Sequence, residues 1–559
     1  MNWQRLRHFL ILGFLSLIIL TVQSQLLMGA RSNRVAQWER FEASLTSANS
    51  YANPLQEIQV LVDFVSPSGK KQTILAFWDG GKTWRVRFSP EEIGKWTFST
   101  RATLASDSGL NGRQGEFTCV PYSGDNPLYR HGALRVSDGG RYLVHADGTP
   151  FFWLADTAWN GVLKSDAPGW EKYLKERASK GFNAVQWVTG QWLGWRGDVK
   201  GQTVFSGRER IRVNPEFCRR MDARVDALND HGFISAPVLL WAAVWNEKEA
   251  VENPGVSLPE DQAILLAKYF VARWGAHQTV WILNGDGDYR GANAERWKRI
   301  GRAVFANSQN RLATVHPQGL NWVADEFRHE SWLSFIGYQS CHFDSTQAYL
   351  WHVVGPPARE WKTDPARPII DIEPQYEGYR TPPGPGETNA YQVRRAAYWS
   401  LLVSPTAGVS YGGSGIWPWA LRHEPPMGHP GSAIDPVWSE AIKMPGSMER
   451  KYIRNLFTSL EWWKLRPAPE LLAMQPGDQD PRRFIALAKA VKSDWLLAYL
   501  PAGGTITFRA EGLSRPMVVR WFNPRNGKWE VEAAVKPGTL VLTSPDNNDW
   551  VLWLGPARK

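Results

Sequence analysis

Thr279-Val280-Trp281-Ile282-Leu283 runs straight into Asn284-Gly285-Asp286-Gly287-Asp288, and Pro368-Ile369-Ile370 runs into Asp371-Ile372-Glu373-Pro374. Each reads as a buried parallel strand that stops just before carboxylates and glycines. In a barrel of alternating strands and helices, the C-terminal strand ends form the active face. Two carboxylates there, from strands far apart in sequence, are what hydrolysis of a glycosidic bond requires.

From Arg141 onward the chain alternates short apolar runs with longer amphipathic ones. Strands are predicted at Phe151 to Ala155, Ala184 to Val188, Ile234 to Leu239, Val280 to Leu283, Leu312 to Val315, Phe335 to Gly337, Pro368 to Ile372 and Gly408 to Tyr411. Helices fit at Gly169 to Lys180, Pro215 to Asp230, Pro259 to Trp274, Ala292 to Ser308, Thr346 to His352, Glu387 to Leu402 and Ser447 to Trp463. Eight such units predict a (β/α)8 TIM barrel over residues 128–465 with enlarged loops. A doubly wound sheet lacks support, because no Gly-x-Gly-x-x-Gly follows the first strand.

On either side the pattern is short strands and turns without helices. Residues 35–122 predict an N-terminal β-sandwich domain, with Ser123-Gly124-Asp125-Asn126-Pro127 as linker, and residues 467–557 predict a C-terminal β-sandwich domain. At the start, Arg5, Arg7 and His8 precede the apolar stretch Phe9 to Val22, and Gln23-Ser24-Gln25 follows. That is the layout of a secretory signal peptide over residues 1–24, so a secreted or periplasmic location is expected. The stretch is short for a membrane span; left uncleaved, it would anchor the chain.

The 559 residues carry a formal net charge of +10. The basic residues are scattered, without a Lys/Arg block or the spacing of a zinc finger or helix-turn-helix, which argues against nucleic acid. An acidic polysaccharide or plain solubility accounts for the charge. The 31 tryptophans fill cores and suit a surface on which sugar rings stack. Cys119, Cys218 and Cys341 show no metal spacing. Asp286-Gly287-Asp288 does not continue into a calcium loop, so no metal and no cofactor is expected. No serine sits in a Gly-x-Ser-x-Gly elbow with suitable partners.

For glycosidic chemistry, Asp286 after the fourth strand and Glu373 after the seventh are the candidate catalytic pair, the glycines beside Asp286 letting substrate approach the backbone. Asp288 is close enough to raise its neighbour's pKa by like-charge repulsion. At the first strand end Asp156 is a candidate acceptor for a sugar hydroxyl, or a loop anchor, and Trp159 a stacking group. Gln191 and Trp192 lie in an aromatic loop after the second strand. His316 follows the fifth strand, Glu377 the seventh, and Tyr411 and Trp417 the eighth; each is a candidate for substrate contact. A carbohydrate-binding scaffold on a degenerate barrel and a polysaccharide lyase are the competing classes.

Phe151-Phe152-Trp153-Leu154-Ala155-Asp156-Thr157-Ala158-Trp159, Trp281-Ile282-Leu283-Asn284-Gly285-Asp286-Gly287-Asp288 and Glu373-Pro374-Gln375-Tyr376-Glu377-Gly378 resemble the apiosidase-like (β/α)8 glycoside hydrolases, which also carry a collagen-binding label. The flanking segments resemble the β-domains that accompany that barrel. The resemblance implies Asp286 as acid/base, Glu373 as nucleophile, and release of apiose from complex pectin side chains. Asn284-Gly285-Asp286 departs from the family's more frequent Gly-Gly-Asp.

Overall fold

The computed structural model describes residues 33–244, 252–306, 312–380, 386–427, 429, 433–509, 516–536 and 541–556. The predicted signal peptide lies outside the described residues. Among them, no helix is long and apolar enough to cross a membrane.

At the centre are eight strands: β1 (Trp153–Thr157), β2 (Ala184–Val188), β3 (Ile234–Trp241), β4 (Val280–Gly287), β5 (Leu312–Pro317), β6 (Ile336–Tyr338), β7 (Ile369–Asp371) and β8 (Gly408–Tyr411). They form one sheet in the order β5-β4-β3-β2-β1-β8-β7-β6, paired parallel throughout. The remaining seam is bridged by Thr314. The Gly337 N–H donates to its Oγ1 at 2.9 Å, and its hydroxyl donates to the Phe335 carbonyl at 2.8 Å. The result is a nearly closed (β/α)8 barrel.

Both faces of these strands are buried. Trp153, Ala155, Ala184, Val188, Val238, Ile282 and Ile370 fill the barrel interior. Leu154, Val185, Trp187, Trp281, Leu283 and Val409 face the surrounding helices. Burial on two sides is why the strands read as continuous apolar runs. β2 and β8 fall where the sequence predicts them. β6 starts one residue later, at Ile336, where its outward side chains meet Ile369 and Ala324.

β8 begins with Gly408 at φ +137°, where a Cβ would lie 2.1 Å from the Trp153 carbonyl oxygen. Both the conformation and the space demand glycine. Gly408→Ala is therefore expected to destabilise the protein by about 2 kcal/mol or more, read as a lower midpoint in denaturant unfolding.

A five-stranded and a three-stranded sheet precede the barrel, and a six-stranded and a two-stranded sheet follow it. The first pair packs around Phe64, Trp84, Trp96 and Phe117, so the barrel is flanked by β-sandwiches as predicted. Both are held to the barrel by buried charge. Arg87 of the N-terminal sandwich donates to Asp222 at 2.8 Å. On the other side Arg394 donates to Asp549 at 2.7 and 2.8 Å. Cys119, Cys218 and Cys341 are buried free thiols.

Candidate active site

β4 does not stop short of its carboxylate. It runs on to Gly287, its register against β5 slipping twice between Ile282 and Gly287. Such irregularities bend a strand and re-aim a side chain. Asp286 sits in this stretch at φ +52°, a left-handed conformation that an aspartate adopts at a cost and that clusters at functional sites. Its backbone N–H donates to His316 Nδ1 at 3.0 Å. The His316 backbone N–H donates back to Asn284 Oδ1 at 3.2 Å, so the ends of β4 and β5 are cross-tied. The space beside the two glycines is filled, contrary to the sequence expectation. A Cβ on Gly285 would lie 2.3 Å from the Trp241 ring, and one on Gly287 would lie 2.7 Å from the Tyr289 hydroxyl.

Glu373 follows β7 and is buried. One carboxylate oxygen is 3.0 Å from His342 Nε2, and the other is 2.5 Å from His316 Nε2. The His316 contact is electrostatic, since neither atom has an aligned hydrogen-bond partner. Tyr376 is buried beside Glu373, and its ring lies tilted against His342 at 4.4 Å.

The two carboxyl groups are driven apart in pKa. Burial raises Asp286 first, and the charge of Glu373 raises it further, with His316 offsetting only part. Burial would raise Glu373 as well, but His316 and His342 outweigh it and hold its carboxyl well below the usual range. The arrangement therefore favours one protonated and one ionised carboxyl side by side, which is how an acid and a nucleophile coexist at neutral pH. The charge that raises Asp286 comes from Glu373 and not, as the sequence suggested, from Asp288. Asp288 is turned to solvent, where Arg290 donates to both of its oxygens at 2.8 and 2.7 Å.

Trp159, Trp192 and Trp417 close the barrel mouth from the β1, β2 and β8 loops and are almost fully buried. The Trp159 ring meets His316 edge-on at 5.5 Å, and Trp241, from the end of β3, lies against Trp159 and Trp192. Trp192 Nε1 donates to Asn160 at 2.7 Å. The buried Nε1 groups of Trp241 and Trp417, the Tyr376 hydroxyl, Asn284 Nδ2 and Asp286 Oδ1 have no hydrogen-bond partner in the protein. Buried polar atoms of that kind are stabilised when a polar ligand reaches them. Among the described residues, no group of three or more His, Cys, Asp or Glu is arranged to hold a metal ion.

Four predicted contact residues are engaged elsewhere. Asp156 points out of the barrel, accepting from Arg177 at 2.6 Å and Tyr173 at 2.7 Å, and is a brace rather than a sugar acceptor. Tyr411 also faces outward, donating to Glu377 at 2.6 Å. Glu377 in turn accepts the Gly446 N–H at 3.0 Å, tying the β7 and β8 loops to the helix Pro445–Thr458. Both groups of the Gln191 amide bond to loop backbone at Val204 and Phe205. Conversely, the sequence reading passed over His342, Trp241 and Tyr376. A histidine four residues past a strand end was the available signal for His342.

The comparisons fit this architecture. Residues 137–464 match the family model described as apiosidase-like, catalytic domain. Residues 34–103 match a domain of unknown function, and residues 467–555 match a putative collagen-binding domain of a collagenase. Among solved structures, one titled simply glycoside hydrolase is 23% identical, with TM-score 0.67 over 78% of this chain and 99% of its own. A glycoside hydrolase family 5 protein from Bacteroides vulgatus is 23% identical, with TM-score 0.66 over 78% of this chain and 95% of its own. A second putative glycoside hydrolase from that organism, 20% identical, has TM-score 0.67 over 93% and 99%. At these identities the likeness is one of fold. No curated protein matches the chain.

Proposed function

The chain belongs to the apiosidase-like catalytic-domain family and is a glycoside hydrolase, and we propose that Asp286 is its acid/base and Glu373 its nucleophile. The observation that carries this reading is the split in ionisation between two carboxyls at the same barrel mouth, one kept protonated and one kept charged. Asp286 protonates the departing glycosidic oxygen while Glu373 attacks the anomeric carbon. The glycosyl–enzyme ester is then opened by water that Asp286 deprotonates, with net retention. The substrate is a plant or microbial polysaccharide, and apiose-bearing pectic side chains are the first to test. The charged leader ahead of Phe9–Val22 supports an exported location.

Reducing-sugar release from pectic and hemicellulosic glycans, compared with Asp286→Asn and Glu373→Gln, tests the assignment. Release lost in both, with folding and glycan binding intact, supports it. An ultraviolet-absorbing unsaturated product would point to a lyase, and binding without turnover in the wild type would point to a scaffold. The anomer first released, followed by proton NMR, decides retention against inversion.

The dependence on pH follows with its sign. Activity requires Glu373 ionised and Asp286 protonated. It is lost as pH falls through the depressed pKa of Glu373 and again as pH rises through the raised pKa of Asp286. kcat/KM is expected to be bell-shaped, with an alkaline limb well above the ordinary carboxylate range. A single acidic limb with no alkaline fall would contradict Asp286 as the acid.

A further inference from the structure

We propose that His316 is a positioning residue that ties the placement of Asp286 to the ionisation of Glu373. This rests on the assignment of those two as the reacting pair and goes beyond it. The imidazole has one acceptor and one donor nitrogen when neutral. Nδ1 accepts the backbone N–H of Asp286 at 3.0 Å, so its lone pair is engaged and the ring proton falls on Nε2. That is the nitrogen 2.5 Å from Glu373. The main chain of one carboxyl residue thereby selects the tautomer presented to the other.

The surroundings leave the ring little freedom. His316 is fully buried, with Trp159 edge-on at 5.5 Å and Trp241 at 6.0 Å. Its own backbone N–H is held by Asn284. The titratable groups facing it are Asp286 from β4 and Glu373 from the β7 end, with His342 and Tyr376 reaching it through Glu373. Burial opposes a second proton on the ring and the Glu373 charge favours one, with the net pull upward. That proton would have to sit on Nδ1, facing the Asp286 N–H, at the cost of the bond that holds the left-handed backbone. The Asp286 N–H therefore works against the second proton that the Glu373 charge favours. The imidazole Nε2, 2.5 Å from one oxygen, stabilises the Glu373 carboxylate electrostatically beside the donor from His342, while the same ring clamps Asp286 where that carboxylate raises its pKa.

Nitrogen NMR of the full chain labelled with 15N-histidine, with His316→Asn to identify the resonance, reads the tautomer directly. The expected result is an unprotonated Nδ1 and a protonated Nε2 across neutral pH; a protonated Nδ1 overturns the proposal. A second measurement follows the Glu373 carboxyl by carbon NMR. In His316→Asn the amide oxygen still takes the Asp286 N–H but no donor reaches the second Glu373 oxygen, leaving His342 alone, and the midpoint is expected to rise by about one to two pH units. In His316→Gln, which reaches toward Glu373 with an amide donor, the midpoint should stay within about half a unit of wild type. An unchanged midpoint in His316→Asn would show that the ring merely fills space. Neither reading depends on turnover, so failure of this inference is distinguishable from failure of the catalytic assignment, which Glu373→Gln tests.

Discussion

Glu373→Gln is expected to lower kcat/KM by about 10⁴-fold or more, with the fold retained. The amide has the shape of the carboxylate, and its oxygen still accepts from one histidine. His342 can accept from the amide nitrogen by changing tautomer, because its Nδ1 is buried without a hydrogen-bond partner. What disappears is the nucleophile, and losses of that order follow when one member of a reacting unit is removed. Asp286→Asn is expected to cost about 10²–10⁴-fold, the usual contribution of general acid–base catalysis. It should cost much less on an aryl glycoside whose leaving group needs no proton. Steady-state kinetics on a cleaved glycan and on an activated aryl glycoside measures both. Equal losses of Asp286→Asn on the two substrates would remove it from the acid role.

Asp222→Ala carries the largest expected stability effect, about 3–5 kcal/mol. Asp222, on the helix Pro215–Asp230, accepts from Arg273 at 2.8 Å on each oxygen, and also from Trp274 and from Arg87 of the N-terminal sandwich, each at 2.8 Å. Arg273 is completely buried. Truncating the aspartate removes three buried charge-assisted hydrogen bonds at once, leaving Arg273 only Asp79 at 3.0 Å and Arg87 only Glu42 at 2.7 Å as carboxylate partners. Buried charge that loses its main partner is costly, even where the intact pair adds little. Denaturant unfolding should show an earlier first transition, and limited proteolysis should release the N-terminal sandwich. An unfolding midpoint equal to wild type would show that Asp222 does not hold the two units together. The sign with pH is fixed too. Burial raises the Asp222 pKa, but Arg87 and Arg273 outweigh it and lower the value to about 2. The stabilisation is therefore present above the ordinary aspartate pKa of about 3.9 and is lost as pH falls toward about 2.

The barrel was legible because its evidence is local. Apolar runs such as Ala184–Val188 and Gly408–Tyr411 are bounded by turn residues and separated by helices with their own caps. The helix predicted at Pro215 to Asp230 has those bounds in the structure, where the Asn214 side chain caps it by accepting the Glu216 and Phe217 N–H groups. Asp286 and Glu373 could be nominated for the same reason, as acids at the ends of such runs. The structure brings the two close enough for the charge of Glu373 to raise the Asp286 pKa.

Which way a side chain points was a different matter. A parallel barrel strand is buried on both faces, so its sequence lacks the alternation that would tell inside from outside. Asp156 and Tyr411 end such strands and proved to face the helices, bonded to Arg177 and Glu377. His342 was missed although the β6 strand ahead of it was predicted, because a lone histidine in a loop does not show which carboxylate it will meet. The sequence alone determined the order of strands and helices and the acids at their ends, since propensity, capping and turn chemistry act within a few residues. Only the tertiary structure decided that a bulged β4 aims Asp286 inward and that one imidazole lies between it and Glu373. Those facts depend on the register of strands 30 to 90 residues apart, which closing the barrel alone establishes.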